Sequence, residues 1–202
     1  MSRRGGPPEV NAGSMADIAF LLLIFFLVTT TIETDAGLDR MLPPMEPPDT
    51  DVIIRQKNIF TVNINKNGQL LAEEELTNLT DLRRKAMEFL DNGGDGSCTY
   101  CKGKRDDASS DNPTKAIISL KNDRETKYGT YITVQNELVG AYNDLRNREA
   151  QRLYQRDFTD MEAEFLNPET PSRIRDELKE KVKRVQDLFP QKLSEAETSS
   201  SN

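Results

Sequence analysis

The chain has 202 residues and a formal net charge of −7, with two cysteines, no histidine and no tryptophan. That length suffices for one ordinary domain plus an anchor. The lack of histidine excludes Ser-His and Cys-His catalysis and histidine-based metal sites. No Gly-rich phosphate loop or nucleophile elbow is present either, so we predict no enzyme activity, no cofactor and no metal. The acidic balance argues against nucleic acid as a partner, because binding phosphates needs a basic surface.

The first element in chain order is an apolar run in which Asp17 is the only charged residue. Residues 16–32 read ADIAFLLLIFFLVTTTI. As a helix, residues 18–32 span about 22 Å, short of the ~30 Å hydrocarbon core, so a spanning helix must start earlier. We therefore predict a cytoplasmic tail at 1–10 and a transmembrane helix at 11–32. Asp17 then lies at membrane depth, where a carboxylate costs about 2.5–3.5 kcal/mol and is by default a functional residue such as a proton relay.

Two other interpretations of this run stay open. Asp17 could be an ordinary N-terminal helix acid in the headgroup layer, where the helix dipole favours it. The run could also be a signal peptide behind Arg3 and Arg4, although it is long, opens with an acid and has a poor cleavage signature. A retained anchor is preferred. With the arginines before it and acids after it, the N-terminus is cytoplasmic and residues 33–202 lie outside.

One face of the predicted span carries the acid. An acid that faced lipid would be unsatisfied, so we expect this face to look into a pore or a protein partner. By helical spacing it also carries Phe20, Leu21, Ile24, Val28 and Thr31. Asn11 and Ser14 are candidate caps for the helix start and supporting polar groups near Asp17. A single span cannot enclose Asp17 by itself, so oligomerisation or a membrane-embedded partner is required.

These residues resemble the N-terminus of the ExbD/TolR family. Residues 9–11 read Glu-Val-Asn, and Asp17 follows after five further residues and opens the apolar helix. The family typically reads E-I/V-N-x-T-P-x-x-D before such a helix. Gly13-Ser14 stand here where Thr-Pro is usual.

The resemblance implies a function. ExbD/TolR proteins work inside a ring of a MotA/TolQ/ExbB-family proton channel and act on a TonB- or TolA-like periplasmic protein. It implies that Asp17 carries the proton, that the chain forms a homodimer, and that it lies in a bacterial inner membrane with its C-terminal domain in the periplasm. The predicted function is the accessory subunit of a proton-motive-force-driven motor energising TonB-dependent outer-membrane transport. The alternative is a membrane-tethered periplasmic binding or scaffold module with a non-conducting anchor.

Residues 33–57 form a predicted Pro-rich acidic linker. Its prolines favour an extended polyproline conformation. The linker is either an arm that docks a partner or a plain tether. The pair Leu42-Pro43 is similar to a Leu-Pro pair that follows the span in the family, which makes it the docking candidate.

Residues 58–190 are predicted to be a periplasmic α+β domain. The alternation over 58–72 around Asn67-Gly68 predicts a hairpin. The further elements are a helix at 78–91, a strand at 116–120, a helix at 130–158 and a helix at 171–189. The second half of the helix predicted at 130–158, after Leu145, is rich in charge and is expected to project into solvent.

The predicted fold class is a single N-terminal transmembrane helix plus a small α+β extracytoplasmic domain, with a mixed sheet, helices on one side and extra C-terminal helices. The extra helices are either partner-specific or a brace for the domain. Residues 191–202 are polar and end in a serine tract, which predicts a disordered tail.

The loop 93–114 holds Cys98 and Cys101. Two cysteines without histidine cannot complete a four-ligand zinc site in one chain. A redox Cys-x-x-Cys normally opens a helix beside a strand, whereas this one lies among polar residues. In an oxidising compartment a local disulfide is the favoured interpretation.

Overall fold

The computed structural model describes residues 12–29 and 55–197. The chain divides into two units, residues 1–44 and 45–202. The first unit contributes one helix, α1 (Ala12–Thr29). The predicted N-terminal tail, most of the linker and the last residues of the chain lie outside the described residues.

The second unit contains the remaining described elements, the first of which is a 3₁₀ turn, Gln56–Asn58. Its strands are β1 (Ile59–Ile64), β2 (Leu70–Ala72), β3 (Glu75–Thr77), β4 (Ile117–Asn122) and β5 (Leu193–Glu197). Its helices are α2 (Leu79–Leu90), α3 (Tyr128–Tyr154), α4 (Phe158–Leu166) and α5 (Ser172–Leu188).

The strands form one mixed sheet in the order β3-β2-β1-β4-β5. β1 pairs antiparallel with β2 and parallel with β4, and β5 extends the parallel part. The predicted hairpin turn is present, with Gly68 at φ +78°. The side chain of Asn65 accepts hydrogen bonds from the N–H groups of Asn67 and Gln69 at 3.0 and 2.9 Å, which fixes the turn. The prediction of a mixed α/β domain is confirmed.

One face of the sheet is buried beneath α2 and α3. Every second residue of β1 and of the first part of β4 points into the core, as the period of a strand requires. Phe60 and Val62 meet Leu82 of α2 and Leu138 of α3 in a single cluster. Burying each such side chain contributes about 1.5–3 kcal/mol.

β3 is an element that the sequence analysis missed. It follows β2 through a two-residue turn in which Glu73 and Glu74 have φ values of 52° and 67°. Such a hairpin turn usually contains Asn-Gly, because glutamate rarely adopts this left-handed conformation. Two glutamates stand here instead, so the sequence carries no signal for the turn. Two hydrogen bonds hold the turn. The N–H of Glu73 donates to the Thr61 carbonyl at 2.9 Å, and the N–H of Thr61 donates to the Glu73 carboxylate at 2.8 Å.

The predicted helix 130–158 is wrong at its C-terminal end. α3 ends at Tyr154, where Gln155 adopts a left-handed φ of 57°, and α4 starts at Phe158. The prediction of a solvated second half is also wrong, because Glu149 and Ala150 are fully buried. α4 and α5 fold back over this half and form a second core. Its members are Ala150, Phe158, Met161, Leu178, Val182 and Val185.

The predicted disordered tail is wrong for residues 191–197. β5 pairs with β4 in parallel register, with Leu193 opposite Ile118 and Glu197 opposite Asn122. The segment has no apolar alternation of its own. Backbone pairing to an existing strand stabilises it, and sequence patterns do not report such pairing.

Candidate functional site

Asp17 lies in the second turn of α1, the helix on which the sequence analysis placed the function. At about 1.5 Å per residue, this 18-residue helix is about 27 Å long. Its described residues are all exposed, and the large apolar ones range from 41 % for Ile24 to 62 % for Leu23. Asp17 is the only ionisable residue in the sequence of this helix.

The helical backbone places several predicted residues on the Asp17 side of α1. Phe20, Leu21, Ile24 and Val28 follow Asp17 at helical spacing within Ala12–Thr29. Ser14 lies one turn before Asp17, and the side chains of Ser14 and Val28 are not among those described.

The other predicted positions near the span and in the linker stay predictions. Asn11, Thr31, Leu42 and Pro43 lie outside the described residues.

Judged by length and apolar character, no helix within residues 12–29 or 55–197 meets the requirements for crossing a membrane.

The second unit has a surface cleft of about 590 Å³ at the open end of the hairpin. Its apolar floor is made of Phe60, Ala72 and Phe89. The rim carries charges of both signs, and two of the rim pairs are Lys85 with Glu75 at 3.0 Å and Lys104 with Glu88 at 3.8 Å. Two of the positive rim charges are thus paired with negative ones.

Within the described residues, no group of three or more cysteine, aspartate or glutamate side chains is arranged to hold a metal ion. Cys98 and Cys101 are joined in a disulfide within the loop that follows α2.

A buried carboxylate joins the start of the domain to this loop. The Asp111 side chain is 3 % exposed, and its Oδ1 lies 2.5 Å from Lys57 Nζ. Asn58 Nδ2 donates to Asp111 Oδ2 at 3.2 Å, and the Asp111 N–H donates to Asn58 Oδ1 at 2.8 Å. The Lys57 ammonium holds the pKa of the Asp111 carboxyl below its ordinary value, despite the opposing effect of burial. Sequence reasoning missed this cluster because its members are 53 residues apart and form no motif.

A second buried charge cluster lies where α3 meets the end of α2. Glu149 is fully buried and accepts hydrogen bonds from Arg148 Nε at 3.2 Å and Arg152 Nε at 2.7 Å. Arg148 also donates to both Asp91 oxygens, at 2.6 and 2.8 Å. The hydrogen bonds to Asp91 raise the pKa of Arg148. The cluster is structural, because its charges are paired with one another.

The family is decided by a match over the region that contains α1 and strands β1 to β4. A family model described as "Biopolymer transport protein ExbD/TolR" matches residues 3–146. This chain belongs to the ExbD/TolR family. The match ends inside α3, so α4, α5 and β5 lie beyond it. No curated protein matches the chain.

ExbD/TolR proteins are membrane-anchored, face the periplasm and have a non-enzymatic accessory role in energising biopolymer transport. In general they associate with ExbB/TolQ-type and TonB/TolA-type partners.

Proposed function

We propose that this ExbD/TolR protein is the accessory subunit of a proton-motive-force-driven motor in the bacterial inner membrane, with Asp17 as its proton-carrying residue. The observation that carries the proposal is the lone acid on an otherwise uncharged helix, α1. A simple anchor gains nothing from a carboxylate at this position, which costs about 2.5–3.5 kcal/mol to insert. A proton carrier needs one.

The energetics support a switch at Asp17. A membrane potential of about 100 mV supplies ~2.3 kcal/mol per charge moved, which is comparable to the insertion cost. Proton flow is therefore strong enough to move Asp17 between a neutral and an ionised state. Asn11 and Ser14 are proposed to supply polar groups near the proton.

The proposed span, residues 11–32, comprises α1 and its flanks. Its Asp17 side would face an ExbB/TolQ-like proton-channel ring, which would keep the acid away from lipid. Phe20, Leu21, Ile24, Val28 and Thr31 would form that pore-facing side.

The output would pass through the linker to the domain and then to a TonB- or TolA-like protein, with Leu42-Pro43 as the docking pair. The chain would work as a homodimer. The sheet ends in two edge strands, and β5, at five residues, is longer than the three-residue β3. Unpaired backbone groups on such an edge favour pairing with a second copy.

The test is Asp17→Asn, expressed with the ExbB/TolQ-like ring partner. The amide keeps the shape of the side chain but cannot release a proton. We expect the complex to assemble in a pull-down, while proton flux into proteoliposomes and growth on the transported nutrient fall to background.

The matched control is Asp35→Asn, which removes a carboxylate just outside the proposed span and should leave flux and growth unchanged. If Asp17→Asn also leaves assembly, flux and growth intact, the motor proposal fails. The tethered binding module then takes its place.

A further inference from the structure

The Cys98–Cys101 disulfide closes a short ring of backbone that contains Tyr100. Both cysteines are buried, at 3 % and 7 % exposure, whereas Thr99 between them is exposed. The Cys101 N–H donates to Cys98 Sγ at 3.1 Å. The ring therefore fixes the direction in which Tyr100 leaves the loop.

The ring is held against the end of α2. Gly93 has a φ of +65°, and a Cβ at this position would lie 3.0 Å from Cys101 Cβ. On the other side of the disulfide, the Gly103 N–H donates to the Asp91 carbonyl at 3.0 Å. The ring thus has a fixed base from which Tyr100 can reach across the domain.

Tyr100 reaches the C-terminal end of α5. Its hydroxyl donates to the Leu188 carbonyl at 2.7 Å, although the two residues are 88 positions apart. The ring of Tyr100 packs edge-on against Phe189, with the centroids 5.4 Å apart. A carbonyl in the last turn of a helix has no partner within that helix, and Tyr100 supplies one.

Two arginines of α3 hold the same junction. Arg146 Nε donates to the Phe189 carbonyl at 3.0 Å. The Arg148 guanidinium lies 5.8 Å from the Phe189 ring centroid, and its Nη2 donates to the Tyr100 carbonyl at 3.5 Å. The junction after α5 is thus clamped between the disulfide loop and α3.

The junction leads directly into β5. The Lys192 N–H donates to the Tyr142 hydroxyl at 3.3 Å, and the Ile118 N–H donates to the Lys192 carbonyl at 2.9 Å. Leu193 then pairs with Ile118. The position of Phe189 therefore determines whether β5 can enter the sheet in this register.

We propose that residues 98–101 are a redox latch that seats β5 at the sheet edge. With the disulfide formed, Tyr100 holds the end of α5 and β5 covers β4. Reduction by a dithiol breaks the Sγ–Sγ bond, leaves two thiols and converts the dithiol to its own disulfide, so two electrons and two protons are transferred. Tyr100 then loses its fixed base, β5 leaves, and the β4 edge becomes open to another strand.

The experiment measures hydrogen–deuterium exchange of the full chain in detergent micelles, oxidised and after complete reduction with dithiothreitol. Complete reduction is verified by thiol alkylation and mass. We expect exchange over residues 188–197 to rise about tenfold or more, since β5 lies at an edge of the sheet and forms backbone pairs with β4 alone. β1 and α2 should change less, because Tyr100 only borders the core that they share.

A second variant tests Tyr100 without touching the disulfide. Tyr100→Phe in the oxidised chain removes one hydrogen bond and should speed exchange over 188–197 by about fivefold. Thr99→Ala, in the same ring and exposed, is the matched control and should leave it unchanged.

Three results overturn the proposal. One is unchanged protection of residues 188–197 after complete reduction. Another is a rise of equal size in β1 and α2, which is general loosening and not release of a latch. The third is a Tyr100→Phe chain as well protected as Thr99→Ala. The proposed motor function is not involved in any of these readouts.

Discussion

α1 and the domain at 55–197 use apolar side chains in opposite ways. In α1 the described large apolar side chains are between 41 % and 62 % exposed. In the domain most such side chains lie in two cores, where residues such as Leu82, Ile118 and Phe158 are completely buried, and only a few, such as Leu76 and Leu166, are exposed. Large apolar side chains are thus mostly covered in the domain, whereas those described in α1 are exposed.

The acids of the two regions differ in the same way. Asp17 has no basic residue in its own helix. Glu149, fully buried in the domain, accepts hydrogen bonds from two arginines. Pairing of this kind is what allows a charge such as that of Glu149 to be buried, whereas Asp17 is exposed in α1. The comparison thus separates the residue proposed to work from those that only hold the fold.

The largest expected effect comes from matched phenylalanines in the two regions. Phe158→Ala should lower the unfolding free energy of the domain by about 3–5 kcal/mol, because it opens a cavity in the second core. Phe25→Ala should leave it unchanged, because Phe25 is 58 % exposed on α1.

The measurement is urea unfolding of the full chain in detergent, followed by tyrosine fluorescence. All five tyrosines of the chain lie within residues 100–154, so the signal reports the domain alone. Equal losses of unfolding free energy for the two substitutions would contradict the difference in burial between Phe158 and Phe25.

A smaller effect is expected at the buried acid of the domain. Glu149→Gln should cost about 3 kcal/mol of unfolding free energy, since it removes the charge that faces Arg148 and Arg152. This value is at the low end for a broken buried pair, because both arginines keep contact with water.

The same unfolding measurement checks this prediction. Glu177→Gln is the control, since Glu177 forms an exposed pair with Lys181, and exposed pairs contribute little to stability. Asp17→Asn should not change the domain's unfolding at all. A loss at Glu149 no larger than at Glu177 would show that the buried cluster is not a stabilising element.

The smallest effect depends on pH. The folded pKa of Asp111 is lowered by Lys57, so its contribution to stability is present above the unfolded pKa and is lost as pH falls through the folded one. Asp111→Asn should therefore lower the unfolding free energy by about 1.5 kcal/mol at neutral pH. Below about pH 4 the unfolding free energies of Asp111→Asn and the wild type should approach each other.

Urea unfolding at neutral pH and at successively lower values gives this difference directly. Asp107→Asn, an exposed carboxylate in the same loop, should match wild type at every pH. A difference for Asp111→Asn that stays constant into the acid range would contradict the assignment of the effect to its charge.

Elements with their own periodicity could be predicted from the sequence. The hairpin around Gly68, the helix α2 and the stripe of α5 follow from spacing and turn residues, because these signals depend on neighbours only a few positions apart. The end of α3 at Tyr154 has no such signal in the sequence. Phe158 fits the apolar side of a longer helix equally well, and no glycine or proline ends α3.

β3 and β5 could not be predicted for a related reason. β3 depends on a turn made by Glu73 and Glu74, which local propensity disfavours. β5 depends on pairing with β4, whose residues precede it by about 75 positions. Their stabilisation comes from partners that the local sequence does not specify.

The sequence alone therefore determined the lone acid in an apolar helix, the predicted linker and the α+β domain, together with the family to which these elements point. All of these depend on composition and on spacings of a few residues. The tertiary structure alone decided where the charged half of α3 is buried, how Tyr100 reaches α5 and which carboxylates are paired. The contacts Lys57–Asp111, Asp91–Arg148 and Tyr100–Leu188 join residues 50 to 90 positions apart, and only the packing of the whole domain brings them together.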